Sequence, residues 1–213
     1  GLNISCKFLQ QYKLYAQVVI DEFNLTQIRK GLRWWANKQG VQVGLKTLNL
    51  FGIRNLSAQV EYNWVRPFTY SHGSPQQNYA HFNQPLAHPF GANFSEGIGL
   101  LSYKYKQWQI DLKGIVATIG KDTAGYYYSV GQNIFRSYME HGKEYGHNIL
   151  QGNKHHFAQG EIKFTYFVIP GLNLRLEAGY IQRYDRSDLG YFNETPYVYL
   201  GLKTSMYNFY RDY

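Results

Sequence analysis

Three histidines, His72, His81 and His88, fall in one stretch between residues 67 and 95, interleaved with Tyr70, Tyr79, Asn83 and Asn93. Imidazole is a common metal ligand, but these spacings match no compact ligand pattern and no thiolate joins them, so no metal site is assigned. The same side chains suit a saccharide better, because aromatic faces stack on sugar C–H surfaces while amide and imidazole groups hydrogen-bond to hydroxyls. Pro67, Pro75, Pro85 and Pro89 stiffen the stretch, whose His and Asn side chains can equally bind the loop's own backbone and a supporting wall. Tyr70, His72, Tyr79, His81, Asn83, His88 and Asn93 are therefore the candidate glycan-binding or plug-loop residues.

A second group, His141, His147, His155 and His156, accompanies Tyr126-Tyr127-Tyr128 and has the same stacking and hydrogen-bonding repertoire. Catalysis has no comparable signature. Nucleophilic attack needs a Ser or Cys beside a His that a carboxylate orients, and the adjacency of Ser71 and His72 does not supply it. No nucleophile elbow, phosphate-cradling Gly loop or pair of catalytic carboxylates stands out, so no catalytic residue and no cofactor is assigned. The chain is read as non-enzymatic.

The elements that must position these residues are strands. Aromatic residues make up 18% of the chain, with 21 Tyr and 13 Phe. No apolar run approaches the roughly 18 to 20 residues that a spanning helix requires. Instead, apolar and polar residues alternate in about nine segments, each of about nine to eleven residues, the length a tilted strand needs to cross a bilayer. These segments are 2–9, 12–20, 39–48, 56–64, 97–105, 108–116, 157–168, 172–180 and 197–206. Glu61, Asp111, Lys113, Glu161, Lys163, Arg175 and Glu177 fall opposite the apolar positions and are read as lumen-facing charges that pair across strands. Exposure of such charges to lipid would cost several kcal/mol.

The chain has 22 Lys plus Arg against 14 Asp plus Glu, a net charge of +8, but the basic residues are scattered singly and form no stripe for nucleic acid. A single cysteine, Cys6, excludes an internal disulfide.

Short and long links alternate between the segments. Soluble sandwiches have no reason to keep that order, whereas outer-membrane barrels have short turns on one side and long loops on the other. The expected fold is all-β: an antiparallel transmembrane β-barrel of the bacterial outer membrane, with 1–213 as its C-terminal portion. Its long extracellular or plugging loops fall at about 21–38, 67–95, 119–156 and 183–195. Trp64, Tyr103, Tyr105, Trp108, Tyr166, Tyr180, Tyr197 and Tyr199 lie near segment ends, where interfacial girdles need them. With long loops outside, the last segment runs inward to an aromatic end, Phe209-Tyr210-Arg211-Asp212-Tyr213, while segment 2–9 starts outside. The expectation is that further strands precede Gly1.

Glu61-Tyr62-Asn63-Trp64-Val65-Arg66-Pro67-Phe68-Thr69-Tyr70-Ser71-His72, continuing through Asn78-Tyr79 to Asn93, resembles the Wzi-like capsule-assembly family, in particular its Bacteroidota branch with gliding-motility relatives. Leu14-Tyr15-Ala16-Gln17-Val18-Val19-Ile20-Asp21-Glu22-Phe23 is similar to the strand before that family's tryptophan-containing loop. The resemblance implies an outer-membrane barrel plugged by its own segments that binds or helps assemble surface exopolysaccharide. An alternative is a structural or transport barrel subunit of a larger envelope, secretion or gliding complex. The partners expected are outer-membrane lipid, a surface polysaccharide, and N-terminal strands of the same gene product or other envelope proteins.

Overall fold

A computed structural model describes residues 1–204 of the chain. Nine strands form one antiparallel sheet in which strands adjacent in the chain lie side by side. They are β1 (Leu2–Phe8), β2 (Tyr12–Glu22), β3 (Lys38–Leu48), β4 (Leu56–Val65), β7 (Phe94–Tyr105), β8 (Trp108–Lys121), β9 (Asn153–Ile169), β10 (Leu174–Ser187) and β11 (Phe192–Lys203). A small hairpin, β5 (Ala80–His81) with β6 (Gln84–Pro85), interrupts the link between β4 and β7. The α-helix α1 (Leu25–Arg29) starts at Asn24, whose side chain accepts the N–H of Gln27. Among the described residues no helix is long and apolar enough to cross a membrane.

Each expected segment coincides with one strand, because a period of two is imposed by the pleat itself. One expected loop is overturned. Residues 183–195 are mostly ladder, with Arg183 opposite Thr195 and Arg186 opposite Phe192, leaving only 188–191 as the turn. Apolar alternation fades there, yet polar contacts carry the strands on: His155 Nδ1 lies 2.9 Å from Asp185 Oδ1, and Lys121 Nζ lies 3.8 Å from its Oδ2. Among the described residues, β1 and β11 lie at the two edges of the sheet. The aromatic stretch 209–213 and the end of the expected segment 197–206 fall outside the described residues.

The register sorts the side chains into two unlike faces. All seven expected inward charges share one face and are half-buried. Asp111 stands opposite Lys163, and Lys113 opposite Glu161. Lys163 Nζ is 3.1 Å from Asp111 Oδ2, and Arg175 Nε is 2.6 Å from Glu177 Oε1. The other face is apolar and, among the described residues, uncovered: Ile4, Val60, Val116, Val198 and Leu200 are 61%, 56%, 63%, 74% and 82% exposed. Tyr103, Tyr105, Trp108 and Tyr166 gather on it at the short-turn end, with Trp108 and Tyr166 4.7 Å apart.

Tyr197 and Tyr199 depart from the expected girdle and belong to the polar face. Tyr199 on β11 lies over Gly179 on β10 and donates to Glu161 Oε1 on β9 at 3.1 Å. Tyr15 does the mirror-image thing, lying over Gly44 on β3 and donating to Glu61 Oε2 on β4 at 2.5 Å. A Cβ at Gly44 would meet Tyr15 Cζ at 2.2 Å, so the bare backbone is what lets the ring lie down.

The apolar core is confined to the long-loop end of the polar face, where Val65, Phe94, Ala117, Ile119 and Phe157 pack with Tyr70, Ala92 and Ile134 from the links. Gly44→Val should expel Tyr15 from its seat and cost about 1–3 kcal/mol, as overpacking generally does. Thermal loss of β-sheet circular dichroism in detergent checks this: a midpoint several degrees lower is expected, and an unchanged midpoint defeats the account.

Candidate functional site

Links 23–37, 66–93 and 122–152 leave the same end of the sheet and fasten to one another. Gly146 N–H donates to Leu32 O at 2.9 Å and His147 N–H to Arg33 O at 3.0 Å. Phe68 N–H donates to Gly131 O at 2.8 Å, Ala92 N–H to Gln132 O at 3.1 Å, and Tyr138 N–H to His72 O at 3.2 Å. Gly131, at φ +81°, has no room for a side chain, since a Cβ would lie 2.5 Å from Phe68 N. The long links therefore form one interlocked cap over the polar face.

Within the cap, the segment Arg66–Ser71 is tightly coiled on itself. Thr69 Oγ1 donates to Arg66 O at 2.8 Å and Ser71 Oγ to Phe68 O at 2.7 Å. Ser71 is thus spent on its own loop rather than on His72. Phe68 and Tyr70 take φ of +64° and +73°, a left-handed conformation that bulky residues rarely adopt and that costs of order 1–3 kcal/mol each. Asp21, at the end of β2, helps hold that shape by accepting the Tyr70 N–H at 3.1 Å. Burial, reinforced by the Asp21 carboxylate and Tyr79, pushes the Tyr70 phenol above its ordinary value, so it remains a hydrogen-bond donor.

This strained turn forms one wall of a cavity of about 630 Å³, within the usual range of small-molecule sites. Gln17, Gln42 and Asn63 from the polar face form another wall, and Tyr70, His72 and Tyr79 come from the cap. The rings of Tyr70 and Tyr79 are 6.0 Å apart and inclined at 35°. His72 Nε2 lies 3.9 Å from Asp21 Oδ1. Asn78 also lines the cavity but is committed, receiving the His72 N–H and donating to Ile134 O.

The seven expected residues divide. Tyr70, His72, Tyr79 and His88 line the cavity. His88 acts mainly as an anchor: its Nδ1 accepts the Phe90 N–H at 3.2 Å, which leaves Nε2–H to donate to Glu96 on β7 at 2.9 Å. Its ring also stacks on Phe94 at 4.3 Å. His81 and Asn83 sit on the exposed β5–β6 hairpin and are not among the lining residues. Asn93 is fully buried and structural, donating to Gly120 O at 2.7 Å and Gln151 O at 2.9 Å while accepting Leu150 N–H at 2.7 Å. Asp111, Lys113, Glu161 and Lys163 line a separate cavity of about 450 Å³ towards the short-turn end, with Lys46.

The second histidine group is largely structural. His141 stacks on Trp35 at 4.3 Å and lies 3.2 Å from Glu144. The Trp34 and Trp35 indole N–H groups also donate to Glu144, each at 3.1 Å. Those bonds, with Trp34 first, hold the Glu144 carboxyl below its ordinary value. His155 and His156 pair with Asp185 and Asp188, whereas Tyr126, Tyr127 and Tyr128 stand exposed. Among the described residues no three His, Cys, Asp or Glu side chains gather as a metal site.

Sequence reading missed Lys38, fully buried, whose ammonium donates to Glu22 Oε1 at 3.0 Å and Ser71 O at 2.8 Å. It also missed Arg136, which joins Asp122, Glu140 and the Tyr127 carbonyl. Lys38 has no local signal, since its partners lie 16 and 33 residues away, whereas the i,i+4 spacing of Arg136 and Glu140 could have been found in the sequence. No family model matches the chain, and no curated protein or solved structure matches it.

His147 makes the cap sensitive to acid. Its Nε2–H donates to Lys143 O at 2.7 Å and its Nδ1 accepts from Gln151 at 3.0 Å, which suits the neutral ring. Burial pushes its pKa down, with His141 and Arg66 adding to the effect. Because the folded value lies below the unfolded one, this stabilisation is complete above about pH 6.5 and is lost as pH falls towards the folded value. Proteolysis of link 122–152 should accelerate between pH 7.5 and pH 5 more in the native protein than in His147→Gln; equal slopes would refute the assignment.

Proposed function

We propose that this chain is wall and cap of an outer-membrane β-barrel of the Wzi-like kind, a non-enzymatic protein that binds or helps assemble surface exopolysaccharide. The observation that carries the reading is the inverted sheet. In water a one-layer sheet buries its apolar face and wets its polar one. Here the cap packs on the charged face, while among the described residues nothing packs on the apolar face, which exposes Val60, Val116 and Leu200. Soluble monomers rarely expose an apolar surface so extensive, and hydrocarbon is the solvent that suits it. On this reading the long links lie outside the cell, the short turns in the periplasm, and the cavity beneath the cap opens to saccharide.

A second reading, a structural or transport barrel within a larger Bacteroidota envelope, secretion or gliding complex, draws on the sheet edges. Strands β1 and β11 each pair on one side only among the described residues. Unpaired N–H and C=O groups in hydrocarbon cost several kcal/mol each, so both edges call for further strands, from the same gene product or from another envelope protein.

Two measurements test the proposal. Leu112→Arg on the apolar face should lower folding into lipid vesicles by about 2–4 kcal/mol, whereas Gln159→Arg on the polar face should be nearly silent. Equal effects would mean that the apolar face does not meet lipid. For the saccharide, Tyr70→Phe with Tyr79→Ala should weaken binding at least tenfold in a glycan-binding assay, and His81→Ala on the hairpin should leave it unchanged. A loss with His81→Ala and none with the double variant would move the site out of the cavity.

A further inference from the structure

Lysine and arginine outnumber the acidic residues of this chain by 22 to 14, yet neither lines the 630 Å³ cavity. The carboxylate among its lining side chains is Asp21, and Glu96 stands directly behind His88 and Asn63. The buried cation of the cap, Lys38, is occupied by Glu22 and the Ser71 carbonyl. Meanwhile several polar lining groups have no internal partner: among the described residues the side chains of Gln17 and Gln42 and the hydroxyls of Tyr70 and Tyr79 make no hydrogen bond to the protein.

Building on the saccharide reading above, we propose that the cavity selects uncharged sugars and rejects acidic ones. Carboxamides and phenols both donate and accept, which matches the hydroxyls and amides of a neutral saccharide. The inclined rings of Tyr70 and Tyr79 offer faces for its C–H surface. A uronate carboxylate entering the same space would lose water without gaining a lysine or arginine partner, and would do so beside Asp21. The chain's basic surplus does not help it, because Lys46, Lys113 and Lys163 line the other cavity.

The test uses the full chain in lipid nanodiscs and calorimetric titration with two panels: neutral hexamers of glucose, mannose and N-acetylglucosamine, and oligogalacturonate with oligomannuronate. At least one neutral oligomer should bind, with the acidic ones at least tenfold weaker. Gln42→Lys, which adds a cation to the wall without touching a cap anchor, should strengthen acidic binding at least tenfold. Gln17→Lys on the neighbouring strand serves the same purpose should the first variant fold poorly. Acidic oligomers that bind the native protein as tightly as neutral ones, with both lost in the Tyr70→Phe, Tyr79→Ala double variant, would overturn the selectivity and leave the saccharide site standing. No binding from either panel would overturn the selectivity and the saccharide reading together.

Discussion

The ammonium of Lys38 is the contact on which the cap depends. A charge with no access to water is tolerated only where partners replace its hydration, and here three separate segments do so. Glu22 comes from the end of β2, the Ser71 carbonyl from the link after β4, and the Tyr138 ring, 4.1 Å from Nζ, from the link after β8. Trp35, 5.6 Å away, adds a fourth. Each partner belongs to a different stretch of chain, so one ammonium ties them together. Once they converge, the coiled turn at Arg66–Ser71 is trapped against Asp21, and the cavity wall follows from that turn. The strained φ of Phe68 and Tyr70 is what a convergence point of this kind can sustain.

Strands were legible in the sequence because alternation is a local property, readable two residues at a time. Gln59, Glu61 and Asn63 alternate with Val60, Tyr62 and Trp64, and the ladder of β4 follows. The same reasoning faltered where both faces turn polar, as at 183–187, since the backbone continues to pair after the hydropathy signal ends. It misplaced Tyr199 as well: an aromatic near a strand end looks like a girdle residue, and only the register with Gly179 shows it on the charged face. The site was half legible. Tyr70, His72 and Tyr79 could be named by type, but Asp21, Gln17 and Gln42 join them only through strand pairing and loop folding across long stretches of chain. Asn93 takes the structural one of its two expected roles, binding three backbone groups, and the sequence left that choice open because a buried carboxamide looks there like any loop asparagine.

Sheet and cap divide the work between two kinds of order. The sheet holds its form through a repeating ladder, whose polar side is neutralised by pairs such as Asp111 with Lys163. The cap has no repeat and relies on single anchors, Asn93, His88, Arg136 and Lys38, each tying unlike segments together. Loops held this way can present a shaped surface without secondary structure of their own, as Tyr70, His72 and Tyr79 do at the cavity.

The paired tyrosine braces carry a mechanical consequence. On one side Tyr199 belongs to the outermost strand, so its ring and its bond to Glu161 tie β11 across β10 to β9. On the other side Tyr15 sits one strand in, tying β2 across β3 to β4 and leaving β1 beyond the brace, with every residue of β1 exposed. Under tension β1 would peel from β2 like a zip, one ladder bond at a time, whereas β11 would have to break a cross-link spanning three strands before it yielded. Among the described residues the two borders of the sheet are therefore seams of unequal strength.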